Sequence, residues 1–173
     1  HSYHLLRYVT NLEAKEISAE VNSLSSEISV DDNAFLILRM NNKARASIWV
    51  SSAATGGENG LKIRVYGTKG AVEWFQDEPN HLKFTELNKS AKIITRASND
   101  VSDFSLKSSR LAAGHPEGFF EAFSNIYTEF ADCILSNNKT NHTFPNIEDG
   151  VKGIKFIFAA KKSSNNNSKW EKI

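Results

Sequence analysis

The sequence predicts an α+β fold: a large open-faced β-sheet, mostly antiparallel or mixed, with helices packed on one face. Two observations carry this. From Asn33 to about Arg96, short apolar alternations follow one another with turn signals between them, and sequence-adjacent strands with short turns pair antiparallel. After Ser98 the apolar spacing changes to a helical period, and two long amphipathic segments follow.

The elements follow in chain order. Tyr3, Leu5, Leu6, Val9 and Leu12 recur at nearly helical spacing, with Asn11 as the stop. In EISAEV, Ile17, Ala19 and Val21 alternate with polar neighbours, as in a half-buried strand. AFLILRM and ARASIWVSS flank NNK, a hairpin signal because Asn tolerates positive φ. GGENG breaks the pattern. LKIRVYG and AVEWF then flank GTKG, and HLKFTEL and KIITR complete the strands. NDVSDFSLKSS is polar and reads as a surface loop. In HPEGFFEAFSNIYTEFADCIL, Pro116 suits a first helical position, and Phe119, Phe123, Ile126, Phe130 and Ile134 form an apolar stripe. PNIEDG announces another helix, capped by Asn146 with Asp149 in its first turn, and Ile147, Val151, Ile154, Ile157 and Phe158 supply the buried face. SSNNNS reads as the helix exit and KWEKI as a tail.

If the helices share one face, the opposite face of the sheet presents Arg39, Arg45, Trp49, Arg64, Tyr66 and Trp74. Aromatics and arginines are enriched at interfaces, so this face is expected to join subunits into a homo-dimer or tetramer. A register shifted by one residue would place several of these aromatics in the core instead.

At 173 residues the chain is long enough for one well-buried domain, and no repeat or linker divides it. Its 40% hydrophobic and 24% charged content is that of a globular protein. A net charge of +1 supplies neither a nucleic-acid footprint nor a polybasic membrane patch. Cys133 is the sole cysteine, so there is no internal disulfide and no thiolate metal cluster; a reducing cytoplasm fits. Within an apolar stripe, Cys133 reads as a small core residue. No apolar run is long enough to span a bilayer. The sequons NKS, NKT, NHT and NNS are what an Asn-rich chain produces by chance.

No complete active site is visible. GGENG joins two strands rather than opening a helix, which suits a bend better than a phosphate cradle. The histidines are the groups best suited to exchange protons near neutral pH. His1 and His4 stand one helical turn apart. On spacing alone they are surface or capping residues, or a metal pair without a third ligand. His115 precedes a helix start, where backbone amides can hold an oxygen-rich ligand; a cap or loop role fits equally. His81 and His142 occupy turn-like contexts and carry no assignment.

The phrases HSYHLLRYVTNLE, VDDNAFLILRMNNKARASIWVS, ENGLKIRVYGTKGAVEW, AGHPEGFFEAFSNIYTEFAD and FPNIEDGVKGIKFI, in this order, resemble the C-terminal domain of Gfo/Idh/MocA-type oxidoreductases, the relatives of glucose–fructose oxidoreductase and inositol dehydrogenase. The resemblance covers nearly the whole chain. It implies that residues 1–173 are the substrate-binding and oligomerisation domain of a two-domain NAD- or NADP-dependent dehydrogenase, whose Rossmann domain precedes this chain and carries most of the cofactor site. That the chain opens on His1, with its one methionine at Met40, agrees with a piece of a longer polypeptide.

In the family an Asp-x-x-x-His motif opens this half. HSYHLLRYV matches it from the histidine onward, which implies that His1 is catalytic and works with a lysine of an E-K-P motif in the preceding half. His4 stands where relatives often carry aspartate and is expected among the substrate-binding residues. The resemblance further implies that His115, and more weakly Glu58 and Asn59, line a sugar or polyol pocket, and that this chain alone is inactive. The competing expectation is a non-enzymatic sheet module for assembly or carbohydrate binding.

Overall fold

The computed structural model describes residues 1–136 and 142–173, which form two compact units: His1–Glu58 with Pro145–Ile173, and Asn59–Phe144. Elements are numbered in chain order. The asparagines of the NKT and NHT sequons lie outside the described residues.

The first unit holds α1 (Ser2–Thr10), β1 (Ala14–Asn22), β2 (Asn33–Met40), β3 (Arg45–Ser51), α4 (Ile147–Asn165) and β8 (Glu171–Lys172). Its sheet runs β3-β2-β1-β8 with every pair antiparallel. Alternation along β1 and β2 drives one face inward: Ile17 pairs with Leu38 and Ala19 with Leu36, all buried. Burying a side chain the size of Ile17 or Leu38 contributes about 1.5–3 kcal/mol. Tyr3 of α1 stacks on Phe156 of α4 over this face, with ring centroids 3.9 Å apart.

The opposite face carries Phe35, Ile37, Arg39, Arg45 and Trp49, as expected for the two arginines and the tryptophan. Phe35 and Trp49 lie parallel at 5.7 Å, and both are exposed.

Two details differ from the sequence reading. In the β2–β3 turn the positive φ falls on Lys43, while Asn42 Oδ1 accepts the Ala44 amide at 3.0 Å. The C-terminal segment is not a loose tail: β8 pairs with β1, and the Trp170 ring lies 4.0 Å from the Arg39 guanidinium.

The largest correction concerns α4. Its start is as expected: Asn146 Oδ1 accepts the Glu148 and Asp149 amides at 2.8 and 3.1 Å. Its buried face is not. Ile147, Val151, Ile154, Ile157 and Phe158 are exposed, and Phe156, Ala159, Ala160 and Ser163 are buried. The buried set also follows helical spacing, and its small residues let the helix approach the sheet closely. Ser163 Oγ accepts the Ala19 amide at 2.9 Å and donates to the Lys169 carbonyl at 2.6 Å. Ser164 Oγ accepts the Val21 amide at 2.9 Å and donates to the Val21 carbonyl at 3.1 Å. The two hydroxyls thus occupy the edge of β1 beyond the short β8.

The second unit holds β4 (Lys62–Tyr66), β5 (Gly70–Phe75), β6 (His81–Glu86), β7 (Lys92–Thr95), α2 (Asp103–Ser108) and α3 (Phe119–Leu135). Its sheet is an antiparallel meander, β4-β5-β6-β7. The strands thus divide between two open sheets, within the expected α+β class. Gly70 is required where it stands: a Cβ there would lie 2.4 Å from the Thr85 carbonyl oxygen. Arg64 and Tyr66 share one face, while Trp74, paired with Ile63, points to the other. Trp74 therefore leaves the proposed interface set, because strand parity at β5 is one residue away from the expected register.

The polar stretch read as a loop contains α2, where Ser102 Oγ accepts the Ser105 amide at 3.3 Å. α3 starts at Phe119, later than Pro116, because Glu121 reaches back to the Gly118 amide at 2.8 Å and caps the helix there. Its apolar stripe forms, but no residue of α3 is buried. Cys133 is half-buried on it. No helix among the described residues is long and apolar enough to cross a membrane.

Candidate functional site

His1 stands immediately before α1, and its carbonyl accepts the Leu5 amide at 2.8 Å, so the residue is tied to the first helical turn. Its side chain is exposed. His4 follows one turn later and is half-buried. α1 ends at Asn11, which takes left-handed φ 52° and returns its amide to the Arg7 carbonyl.

The orientation of this helix is set by Arg7, whose side chain is only 11% exposed. Its guanidinium grips Glu13 with two bonds, Nε–Oε2 at 2.9 Å and Nη2–Oε1 at 2.8 Å, and reaches Asp149 Oδ1 at 3.1 Å. Lys152 Nζ adds a contact to Glu13 Oε1 at 2.8 Å. The Arg7 hydrogen bonds, ahead of all other causes, hold the Glu13 carboxyl down at about 2. They likewise raise the Arg7 guanidinium above its ordinary value, Glu13 being the main cause. Asp149 is depressed first by the Asn146 amide and further by Arg7 and the nearby His4. Burial pushes the Tyr3 phenol up. The helix that carries both histidines is therefore locked onto α4 by a charge network and an aromatic stack.

His115 lies in the second unit, on the irregular segment between α2 and α3, with its side chain exposed. Gly114 at φ +85° makes the turn that precedes it, closed by the His115 amide on the Ala112 carbonyl at 3.2 Å. Glu58 and Asn59 are exposed residues at the boundary of the two units, with Glu58 at φ 45°. The structure thus places His4 on α1 with His1 at its N-cap, and His115 in a separate unit. His81 Nδ1 lies 3.3 Å from Glu78 Oε2 on the surface, and His142 stacks on Phe144.

A cleft of about 320 Å³ in the first unit is lined by Asp31, Asp32, Asn33, Ala34, Val50, Ser51 and Ser52. None of the histidines reaches it. The Asp32 carboxylate is taken by the Leu24 and Ser25 amides and Asp31 by Lys161, so these acids hold a loop. Among the described residues no group of three His, Cys, Asp or Glu side chains is placed to hold a metal ion. The contacts of Arg7 with Glu13 and Asp149, and the ion pair of Arg96 with Glu117 at 2.9 Å beside His115, were missed by sequence reasoning. Arg7 could have been singled out by its place one turn after His4, and Glu117 by its place two residues after His115.

A two-unit α+β chain with open antiparallel sheets and an exposed histidine at the head of its first helix agrees with the α/β C-terminal domain of an oxidoreductase. The chain belongs to the Gfo/Idh/MocA family: the profile of its "Oxidoreductase family, C-terminal alpha/beta domain" matches residues 1–172. The oxidoreductase YfiI of Bacillus subtilis is 30% identical over 178 residues, covering 98% of this chain and 45% of that protein. An oxidoreductase from Sinorhizobium meliloti superposes with a TM-score of 0.93 at 39% identity, over 98% of this chain and 49% of that one. An inositol dehydrogenase homologue from Azotobacter vinelandii, solved with NADH and myo-inositol, matches with a TM-score of 0.89 at 28% identity, over 98% of this chain and 47% of that one. The chain spans about half the length of these relatives.

Proposed function

We propose that this chain is the substrate-side domain of an NAD(P)-dependent dehydrogenase that acts on a hydroxyl or carbonyl of a sugar or cyclitol. The likeness to an inositol dehydrogenase homologue holding NADH and myo-inositol is the observation that carries this reading. The glycine-rich stretch around Gly56 and Gly57 runs from β3 to β4 and enters no helix. On the family likeness the cofactor is assigned mainly to a preceding Rossmann domain, where the nicotinamide would supply the hydride chemistry.

This chain's task is proton handling and positioning. His1 is the proton acceptor for the reacting hydroxyl: a neutral imidazole, with an ordinary pKa of about 6.5, is suited to that transfer near neutral pH. Its place at the head of α1, held through Arg7 and Tyr3, supplies a fixed platform. His115, His4, Glu58 and Asn59 are assigned to substrate hydroxyls. The open face bearing Phe35, Arg39, Arg45 and Trp49 is assigned to self-association, as a dimer or tetramer.

The test is turnover of a polyol panel by the full-length protein with NAD and with NADP, repeated for His1→Ala. Loss of kcat by about a hundredfold or more is expected for a general base. A variant with near-normal turnover removes His1 from the chemistry. A full-length protein that binds polyols or assembles without turning them over establishes the binding-module reading instead.

A further inference from the structure

The segment from Ser109 to Gly118 has no regular secondary structure, so no backbone ladder sets its shape. One side chain does. Arg96, just past β7, has a side chain 15% exposed and turns both guanidinium Nη atoms on this region. Nε donates to Asn80 Oδ1 at 3.1 Å, Nη1 to the Leu111 carbonyl at 3.0 Å, and Nη2 to the carbonyls of Ala112 and His115 at 3.0 and 2.6 Å, while Nη1 also lies 2.9 Å from Glu117 Oε1 in an ion pair.

Glu117, 8% exposed, closes the loop from the other side: its Oε1 accepts the Arg110 amide at 2.7 Å and the Leu111 amide as well. Asn80 completes the knot by accepting the Glu117 amide at 3.1 Å and donating to the Glu117 carbonyl at 2.9 Å. A buried ion pair is a weak source of stability, because desolvation offsets its attraction. What this one does is select a single loop conformation, in which the His115 backbone is fastened and its ring stays exposed.

We propose that Arg96 is a positioning residue for substrate binding, fixing the 110–117 loop so that the His115 ring meets the hydroxyls of a polyol. The proposal rests on the substrate-binding reading of His115. Arg96 is separated from the substrate by the His115 residue it holds. Lysine cannot replace it, since a point charge cannot serve Asn80 and three carbonyls arranged around a planar fork.

The test uses the full-length protein with NAD and myo-inositol, comparing Arg96→Lys, His115→Ala, the double variant, and Gly114→Ala. The last strains the turn at φ +85° without touching the ion pair, since nothing lies within 4 Å of the added methyl. Arg96→Lys and Gly114→Ala are each expected to raise KM for myo-inositol about tenfold, with kcat and KM for NAD within about twofold. Adding Arg96→Lys to His115→Ala should raise KM no further, because both act through one ring. Multiplying effects, or a fall in kcat at constant KM, overturn the proposal. Amide hydrogen exchange across 110–117 should quicken about tenfold in Arg96→Lys while the rest of the protein keeps its pattern. If the wild-type protein turns over no polyol, the proposed function has failed; unchanged exchange in this loop overturns the role of Arg96 by itself.

Discussion

Replacing Ser163 with alanine removes one oxygen from a fully buried position and two hydrogen bonds with it. The Ala19 amide, 2.9 Å from that oxygen, lies on the edge of β1 beneath α4 and has no route to water. Leaving a buried donor unpaired costs about 1–3 kcal/mol. The Lys169 carbonyl, in the turn after α4, can find solvent, so its loss adds only about 0.5 kcal/mol. Alanine returns about 0.5 kcal/mol through its better helix propensity. The net expectation is a destabilisation of about 1–3 kcal/mol, read as a urea midpoint lowered by about 1 M at an unchanged slope. Ser164→Ala is the comparison, because its hydroxyl also bonds to β1 but is part-exposed. It should cost about half as much, since water can replace it. Ser163→Ala with an unmoved midpoint, or the two variants being equal, would refute the argument that burial sets the cost.

Two further outcomes follow from the charge network and the turn chemistry. Glu13 is ionised in the folded protein down to about 2, against an ordinary 4.5, so its pairing stabilises the fold above pH 4.5 and is lost as the pH falls toward 2. With its side chain 43% exposed, solvent screening leaves about 1 kcal/mol of this. Melting temperature against pH should therefore fall more steeply over this window in the wild type than in Glu13→Gln, and identical slopes would contradict the assignment. Gly70→Ala forces a methyl to 2.4 Å from the Thr85 carbonyl oxygen, which must push β5 and β6 apart at a cost of about 2 kcal/mol or more. A calorimetric trace of that variant superposing on the wild type would show that the turn can yield.

The strands were legible because period-two alternation survives in each of them, and the start of α4 because Asn146 and Asp149 announce it within four residues. Where two answers shared one period, the pattern could not choose. α4 carries both a bulky stripe at Ile147, Val151, Ile154 and Phe158 and a small one at Phe156, Ala159, Ala160 and Ser163, and the close approach of helix and sheet selects the second. Trp74 was misplaced for the same reason, since a strand of six residues fits either parity. Nothing local separates one seven-stranded sheet from two smaller ones, because that choice is made by pairings after Ser51. Of the candidate site, His1 and His115 were visible through family phrases. The arginines that hold them were not: Arg7 meets Asp149 across 142 positions, and Arg96 meets the His115 carbonyl across 19.

The chain contains three tryptophans, and their placement gives it built-in optical reporters. Trp49 lies exposed on the open face of the first sheet, stacked on Phe35 and bonded through its indole N–H to Asn33 at 3.1 Å. Trp170 lies against Arg39 of the same face, whereas Trp74 belongs to the second unit and donates to the Pro79 carbonyl. A second copy seated on that face, as proposed, would strip water from Trp49 and shift its emission to shorter wavelength. The proposed self-association can therefore be tested by the protein's own fluorescence on dilution, without a label.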